Sequence, residues 1–154
     1  MDTIPARPAV AGPYRLLLTS LEKRIWLPDI NPSFYHAVEL GLSIAYLYAA
    51  TPATKGMLLA AILLLDWVDG ATARRFRGGS RTGYIIDTLT DRVSEGFIFA
   101  AEAQRPLGQA FFVLWLLNCA LTYYSIRSNR HTSLALRFAY LVALVVHAMW
   151  PGLW

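Results

Sequence analysis

The chain has a single cysteine, Cys119, among its 154 residues, which excludes an intrachain disulfide framework. Cys119 lies in an apolar run with no metal-ligand spacing around it, so it reads as a packing residue. Charge is scarce as well: 16% of the residues are Asp, Glu, Lys or Arg, against about 25% in an ordinary soluble domain. Residues 1–33 carry Arg7, Arg15, Lys23 and Arg24 with three acids and no long apolar stretch ahead of a small-residue cleavage site, so no removable leader is expected. Neither a repeat nor a low-complexity tract is present, which excludes a solenoid or a linker-joined array. The net charge of +4 does not point to nucleic acid, because the basic residues flank apolar segments and form no recognised nucleic-acid motif. Anionic headgroups or phosphorylated substrates suit them better.

What is plentiful is apolar surface, 56% hydrophobic with 13% aromatic. A bilayer core takes about 20 apolar residues per helical span, so the expected fold is an all-α integral membrane protein with about five transmembrane helices. Those segments run over 33–51, 56–77, 82–102, 107–127 and 133–152. The fourth, PLGQAFFVLWLLNCALTYYSI, is free of charge and is the clearest span. Ahead of them, residues 2–13 contain three prolines and read as a tail. From Tyr14, apolar residues recur at Leu17, Leu18, Leu21 and Ile25, with Arg15, Thr19, Glu22 and Lys23 on other faces. This spacing predicts an interfacial amphipathic helix, ended by the prolines of LPDINP. The chain thus divides into an N-terminal tail and interfacial helix (1–32) and a transmembrane domain (33–154).

Cytoplasmic loops carry an excess of Lys and Arg. Placing the N-terminus inside puts Arg7, Arg15, Lys23, Arg24, Arg74, Arg75, Arg77, Arg81, Arg127 and Arg130 on one side, leaving Lys55 and Arg105 opposite and Arg92 and Arg137 within helices. The expected topology is N-terminus in and C-terminus out. Trp26 suits an inner aromatic belt, and Trp150 and Trp154 an outer one.

Against that background, DWVDGATARRFRGGSRTGYIIDTLTD (66–91) holds four aspartates. Asp66 and Asp69 are three apart, and Asp87 and Asp91 four apart, so each pair shares a helix face; Glu95 extends the second face by a turn. A short connection makes the two helices antiparallel neighbours. Carboxylates converging in a low dielectric repel strongly unless something positive joins them. Two sources of positive charge remain open: pairing with Arg74, Arg75, Arg81 and Arg92, or a hard divalent cation such as Mg²⁺, Mn²⁺ or Ca²⁺, which carboxylate oxygens suit. Gly70, Ala71 and Ala73, with Gly78, Gly79 and Gly83, allow close approach of a flat ligand or of a packing helix. His36 and Glu39, in the first segment, either face the same cavity or bond to a neighbouring helix; His147 reads as packing.

Asp66, Asp69, Gly70, Ala73, Arg74, Gly83, Asp87 and Asp91 fit the spacing D-x2-D-G-x2-A-R-x8-G-x3-D-x3-D. This resembles the signature of the CDP-alcohol phosphotransferase family. The resemblance implies transfer of a phospho-alcohol from a CDP-alcohol to an acceptor hydroxyl with release of CMP. It further implies that Asp66, Asp69, Asp87 and Asp91 surround a pair of Mg²⁺ or Mn²⁺ ions, with Asp91 as general base. By the same resemblance Gly70, Ala73 and Gly83 make room for the cytidine nucleotide, Arg74 contacts its diphosphate, and the protein is a homodimer of the cell (inner) membrane. DTLTDRVSEG and GGSRTG resemble the phosphatidylinositol-phosphate synthase branch, implying CDP-diacylglycerol as donor and a polyol phosphate as acceptor. Arg127, Arg130 and Arg137 are candidates for the acceptor's phosphate. Members of the family usually have six spans, where five are counted here. Two other classes also use intramembrane acids: prenyltransferases, which release pyrophosphate, and divalent-cation transporters or binding scaffolds.

Overall fold

The computed structural model describes residues 24–25, 27–76, 80–128 and 132–149. The tail and nearly all of the interfacial helix expected from Tyr14, together with Trp26, Gly78, Gly79, Arg130, Trp150 and Trp154, lie outside the described residues. Among the described residues five helices follow in order: α1 (Pro32–Tyr48), α2 (Pro52–Phe76), α3 (Arg81–Glu102), α4 (Pro106–Ser128) and α5 (Leu136–Met149).

Local chemistry sets most of the starts. Pro32, Pro52 and Pro106 each open a helix, the position where a missing N–H costs nothing and the fixed φ is already helical. Asn31 caps α1, its side-chain oxygen accepting from the Ser33 N–H at 3.0 Å. Ser80 caps α3, accepting from the Gly83 N–H at 2.9 Å. Each cap satisfies one of the orphan donors of a helix N-terminus.

α1 is the common wall of the bundle. It packs extensively on both α2 and α3, α3 packs on α4, and α5 lies against α2 with a lighter contact to α4. α2 and α3 are not among the extensively packed pairs; the antiparallel neighbours expected from their short connection face each other across a cleft, where their acidic side chains meet. The Ser43 and Ser94 hydroxyls meet at 2.7 Å between α1 and α3, and such small polar residues let membrane helices approach closely.

Away from the aspartates the helices close into a core of Tyr46, Leu59, Ile62, Ile98, Phe99, Leu136 and Tyr140. The Tyr140 ring meets Phe99 and Phe111 edge-on at 5.5 and 4.9 Å, a favoured aromatic geometry. At that end the buried Glu102 carboxylate pairs with Lys55, accepts from the Tyr46 hydroxyl at 3.2 Å and lies 3.5 Å from Arg105. The turn there is so tight that a Cβ on Gly108 would fall 1.9 Å from the Glu102 carbonyl oxygen.

Among the described residues, α2 and α4 are long and apolar enough to cross a bilayer, and α5 is apolar but shorter. The 14 residues of α5 span about 21 Å at about 1.5 Å per residue. α1, at 17 residues, is slightly short, and α3 carries the polar residues described below. Large apolar side chains such as Leu64, Val113, Leu116, Tyr123 and Phe138 are exposed, as suits a surface bathed in lipid rather than water. The chain is an all-helical protein of membrane character.

Candidate active site

α2 runs antiparallel to both α1 and α3, so residues stepping forward along α1 and α3 meet residues stepping backward along α2. Two tiers result. His36, Asp69 and Asp87 form one, with their ligand atoms all within 4.8 Å of one another. The next turn inward brings Glu39, Asp66 and Asp91 to a shared cation, Arg137. The ligand atoms of Asp66, Asp87 and Asp91 also lie within 4.8 Å, so Asp87 belongs to both groups. All four aspartates of the signature therefore reach one cleft.

The donor chemistry of that cleft fits a divalent cation. With metal–oxygen distances of about 2.0–2.1 Å, ligands of one ion lie roughly 3 Å apart when adjacent and roughly 4 Å when opposite, so atoms that all fall within 4.8 Å are near enough to share an ion. Carboxylate oxygens are hard donors of the kind Mg²⁺ and Mn²⁺ accept.

Arg137, at the start of α5, is 4% exposed. Its guanidinium pairs with Glu39 and with Asp91, and lies 3.8 Å from Asp66. A buried arginine in an apolar helix requires such partners. Of the arginines nearer in sequence, Arg92 pairs with Glu95 at 3.0 Å, and Arg75 donates to the Ile25 carbonyl at 3.4 Å. Arg74 is exposed near the end of α2, and its guanidinium would sit 3.1 Å from a Cβ placed on Gly70. Ala73 is half-buried on α2, and Gly83 is exposed in the first turn of α3 against Ser80. Of the other arginines considered for an acceptor phosphate, Arg127 is exposed at the end of α4, away from the Arg137 cluster in sequence, and Arg130 is outside the described residues.

Beside the inner tier lies a cavity of about 210 Å³, lined by Asp66, Asp91, Arg92, Glu95, Ser133 and Arg137, among others. One wall is the stretch 132–135, which precedes α5 and is held by α4. Asn118 accepts from the Leu134 N–H at 2.8 Å and donates to the Leu134 carbonyl at 3.1 Å, while the Thr132 hydroxyl donates to the Leu121 carbonyl at 3.1 Å. The Asn118 amide also reaches Glu95 at 3.4 Å. Sequence reasoning did not assign this clamp, although a lone asparagine in an otherwise uncharged span is a signal for it. Glu39 was left between two roles; its meeting with Arg137 across 98 positions has no local signature.

A family model for CDP-alcohol phosphatidyltransferases matches residues 34–150. The phosphatidylinositol phosphate synthase of Mycobacteroides abscessus is 42% identical over 70 residues, covering 44% of this chain and 32% of that protein. The enzyme of the same name from Mycobacterium tuberculosis is 31% identical over 75 residues, covering 44% and 35%. That from Corynebacterium glutamicum is 24% identical over 131 residues, covering 76% and 59%. The chain thus spans between 32% and 59% of the length of these relatives. No solved structure matches it significantly.

Proposed function

The chain belongs to the CDP-alcohol phosphatidyltransferase family, and from that premise we propose that it moves the phosphatidyl group of CDP-diacylglycerol to a hydroxyl of a polyol phosphate such as inositol phosphate, releasing CMP. The observation that carries this reading is the convergence of Asp66, Asp69, Asp87 and Asp91 on one cleft, from two helices whose backbones stand apart. The names of the relatives support the choice of donor and acceptor.

In this reading Asp66, Asp69 and Asp87 hold two Mg²⁺ or Mn²⁺ ions, with Asp91 beside them. The ions supply Lewis acidity toward the diphosphate and offset charge on the departing CMP. Asp91 accepts the proton of the acceptor hydroxyl as its oxygen bonds to the phosphorus and the bond from phosphorus to the CMP oxygen breaks. A base so placed contributes typically about 10²–10⁴-fold. Arg137, paired with Asp91, fixes where that carboxylate points. Gly70, Ala73 and Gly83 leave room for the cytidine, and Arg74 meets its diphosphate. The cavity walled by Ser133 and Arg137 takes the acceptor, with Arg92 and Arg137 as the cations that line it.

The membrane arrangement belongs to the same proposal. All five helices cross the inner membrane, residues 1–32 form the interfacial portion and 33–154 the catalytic one, the N-terminus and the acids are cytoplasmic, the C-terminus is outside, and two copies form a homodimer. The carboxylates then sit at the headgroup plane, where a polar acceptor arrives from water while the donor's acyl tails stay in lipid.

The test incubates the purified full chain with Mg²⁺ or Mn²⁺, CDP-diacylglycerol and a panel of polyols and polyol phosphates, and measures CMP. Turnover is expected with a phosphorylated polyol, is lost in Asp91→Asn with donor binding retained, and is accompanied by weakened metal and nucleotide binding in Asp66→Asn or Asp69→Asn. No CMP with any acceptor, or full turnover in Asp91→Asn, refutes it.

A further inference from the structure

We propose that His36 is a nitrogen ligand for the ion held by Asp69 and Asp87, so that the two ion positions of the cleft differ in chemistry, one all-oxygen and the other mixed nitrogen and oxygen. The inference rests on the metal reading above and goes beyond the acidic signature, because His36 lies on α1, outside it.

Three observations carry it. The first is convergence: the imidazole of His36 and the carboxylates of Asp69 and Asp87 come from three different helices, yet their ligand atoms fall within 4.8 Å. Helical periodicity explains why Asp66 and Asp69 share a face, but it does not bring a histidine 33 positions before Asp69 to the same point. That is the work of α1, which packs on both acid-bearing helices. The second is the distribution of positive charge. Arg137 pairs within the inner tier, touching Glu39 and Asp91 and approaching Asp66, whereas His36 lies in the outer tier. The third is donor type. An imidazole nitrogen with two carboxylates suits Co²⁺ and Zn²⁺, and among the hard ions a transition metal such as Mn²⁺ accepts the nitrogen more readily than Mg²⁺ or Ca²⁺, which favour all-oxygen surroundings. The group of Asp66, Asp87 and Asp91 is all-oxygen, so the two positions discriminate differently, with Asp87 common to both.

The consequence is a defined metal preference. Mn²⁺ occupies the His36 position in preference to Mg²⁺, and the all-oxygen position accepts either.

The experiment is pulsed electron paramagnetic resonance on the full chain in detergent micelles loaded with Mn²⁺, which detects nitrogen bonded directly to the ion and does not depend on turnover. Nitrogen modulation is expected in the wild-type chain and is expected to change when the histidines are labelled with ¹⁵N, a measurement that requires no variant. In His36→Gln the modulation disappears and Mn²⁺ binding weakens by about tenfold or more, since even removal of an outer-shell partner costs about 10–100-fold in metal affinity. His147→Gln, which removes a histidine from the far part of α5, leaves both unchanged. Bound Mn²⁺ without nitrogen modulation, or modulation that survives in His36→Gln, overturns the assignment of His36 and leaves the carboxylate site standing. Failure of the wild-type chain to bind Mn²⁺ at all overturns the metal reading itself.

Discussion

Replacing Arg137 with glutamine removes one positive charge from among three carboxylates. Arg137 and Glu39 are 4% and 3% exposed, so water does not screen their contact as it would at a surface. The guanidinium also lies 3.8 Å from Asp66, whose side chain is 38% exposed, so water screens that contact and it adds less than the buried pair. The cost of desolvating the arginine offsets part of the attraction. What dominates in the variant is the buried Glu39 left behind, and removing one partner of a buried pair costs about 3–5 kcal/mol. Arg137→Gln is therefore expected to lose about that much stability when divalent ions are chelated, read from reversible SDS unfolding in mixed micelles. Two further results separate this electrostatic cause from simple loss of packing. Adding Glu39→Gln removes the orphaned charge, so the double variant is expected to be more stable than Arg137→Gln alone, a non-additivity typical of residues in contact. The variant cleft also carries one more net negative charge and binds Mn²⁺ more tightly. Ligand at 100 times its dissociation constant stabilises by about 2.7 kcal/mol, so the gain on replacing EDTA with Mn²⁺ exceeds that of the wild type. An Arg137→Gln chain as stable as wild type in EDTA, or additive with Glu39→Gln, refutes the reasoning.

Gly108→Ala drives a Cβ into the Glu102 carbonyl and forces the turn between α3 and α4 to move; a loss of about 1–3 kcal/mol or more is expected, and an unchanged melting temperature in detergent contradicts the close approach. Asn118→Ala removes both side-chain bonds to Leu134 and leaves its backbone groups to find other partners, for about 1–3 kcal/mol. Because that stretch walls the cavity, the KM for the acceptor rises more than that for the donor in CMP-release kinetics; equal effects on both argue against the cavity as the acceptor's place.

Helix positions were largely legible in the sequence because they rest on local chemistry. Proline at 32, 52 and 106 and the caps at Asn31 and Ser80 act within a few residues, and the apolar segments at 33–51, 56–77, 82–102, 107–127 and 133–152 each coincide with a helix. The departures have physical causes. α2 begins at Pro52 rather than 56, because a proline start outweighs the polar Thr54 and Lys55 that hydropathy discounts. α5 begins only at Leu136, because Asn118 and Thr132 hold the preceding residues against α4, a tertiary effect without local trace. The acid pairs were legible from spacings of three and four, whereas their partner was not. A divalent cation and the arginines nearby in sequence were both open as that partner, and the side-chain cation that meets Asp91 is Arg137, 46 positions away. For the same reason the contribution of α1 was left open: whether His36 and Glu39 face the cavity depends on which helix α1 packs against, and periodicity carries no such information.

The buried Glu102 gathers Lys55, Tyr46 and Arg105 at the end of the bundle farthest from the aspartates. Lys55 and Asp69 are 14 residues apart on one helix, roughly 21 Å at about 1.5 Å each. The bundle is therefore fastened by buried charge at both ends, by Glu102 at one and by Arg137 at the other, with the Tyr46–Phe99–Tyr140 interior between them.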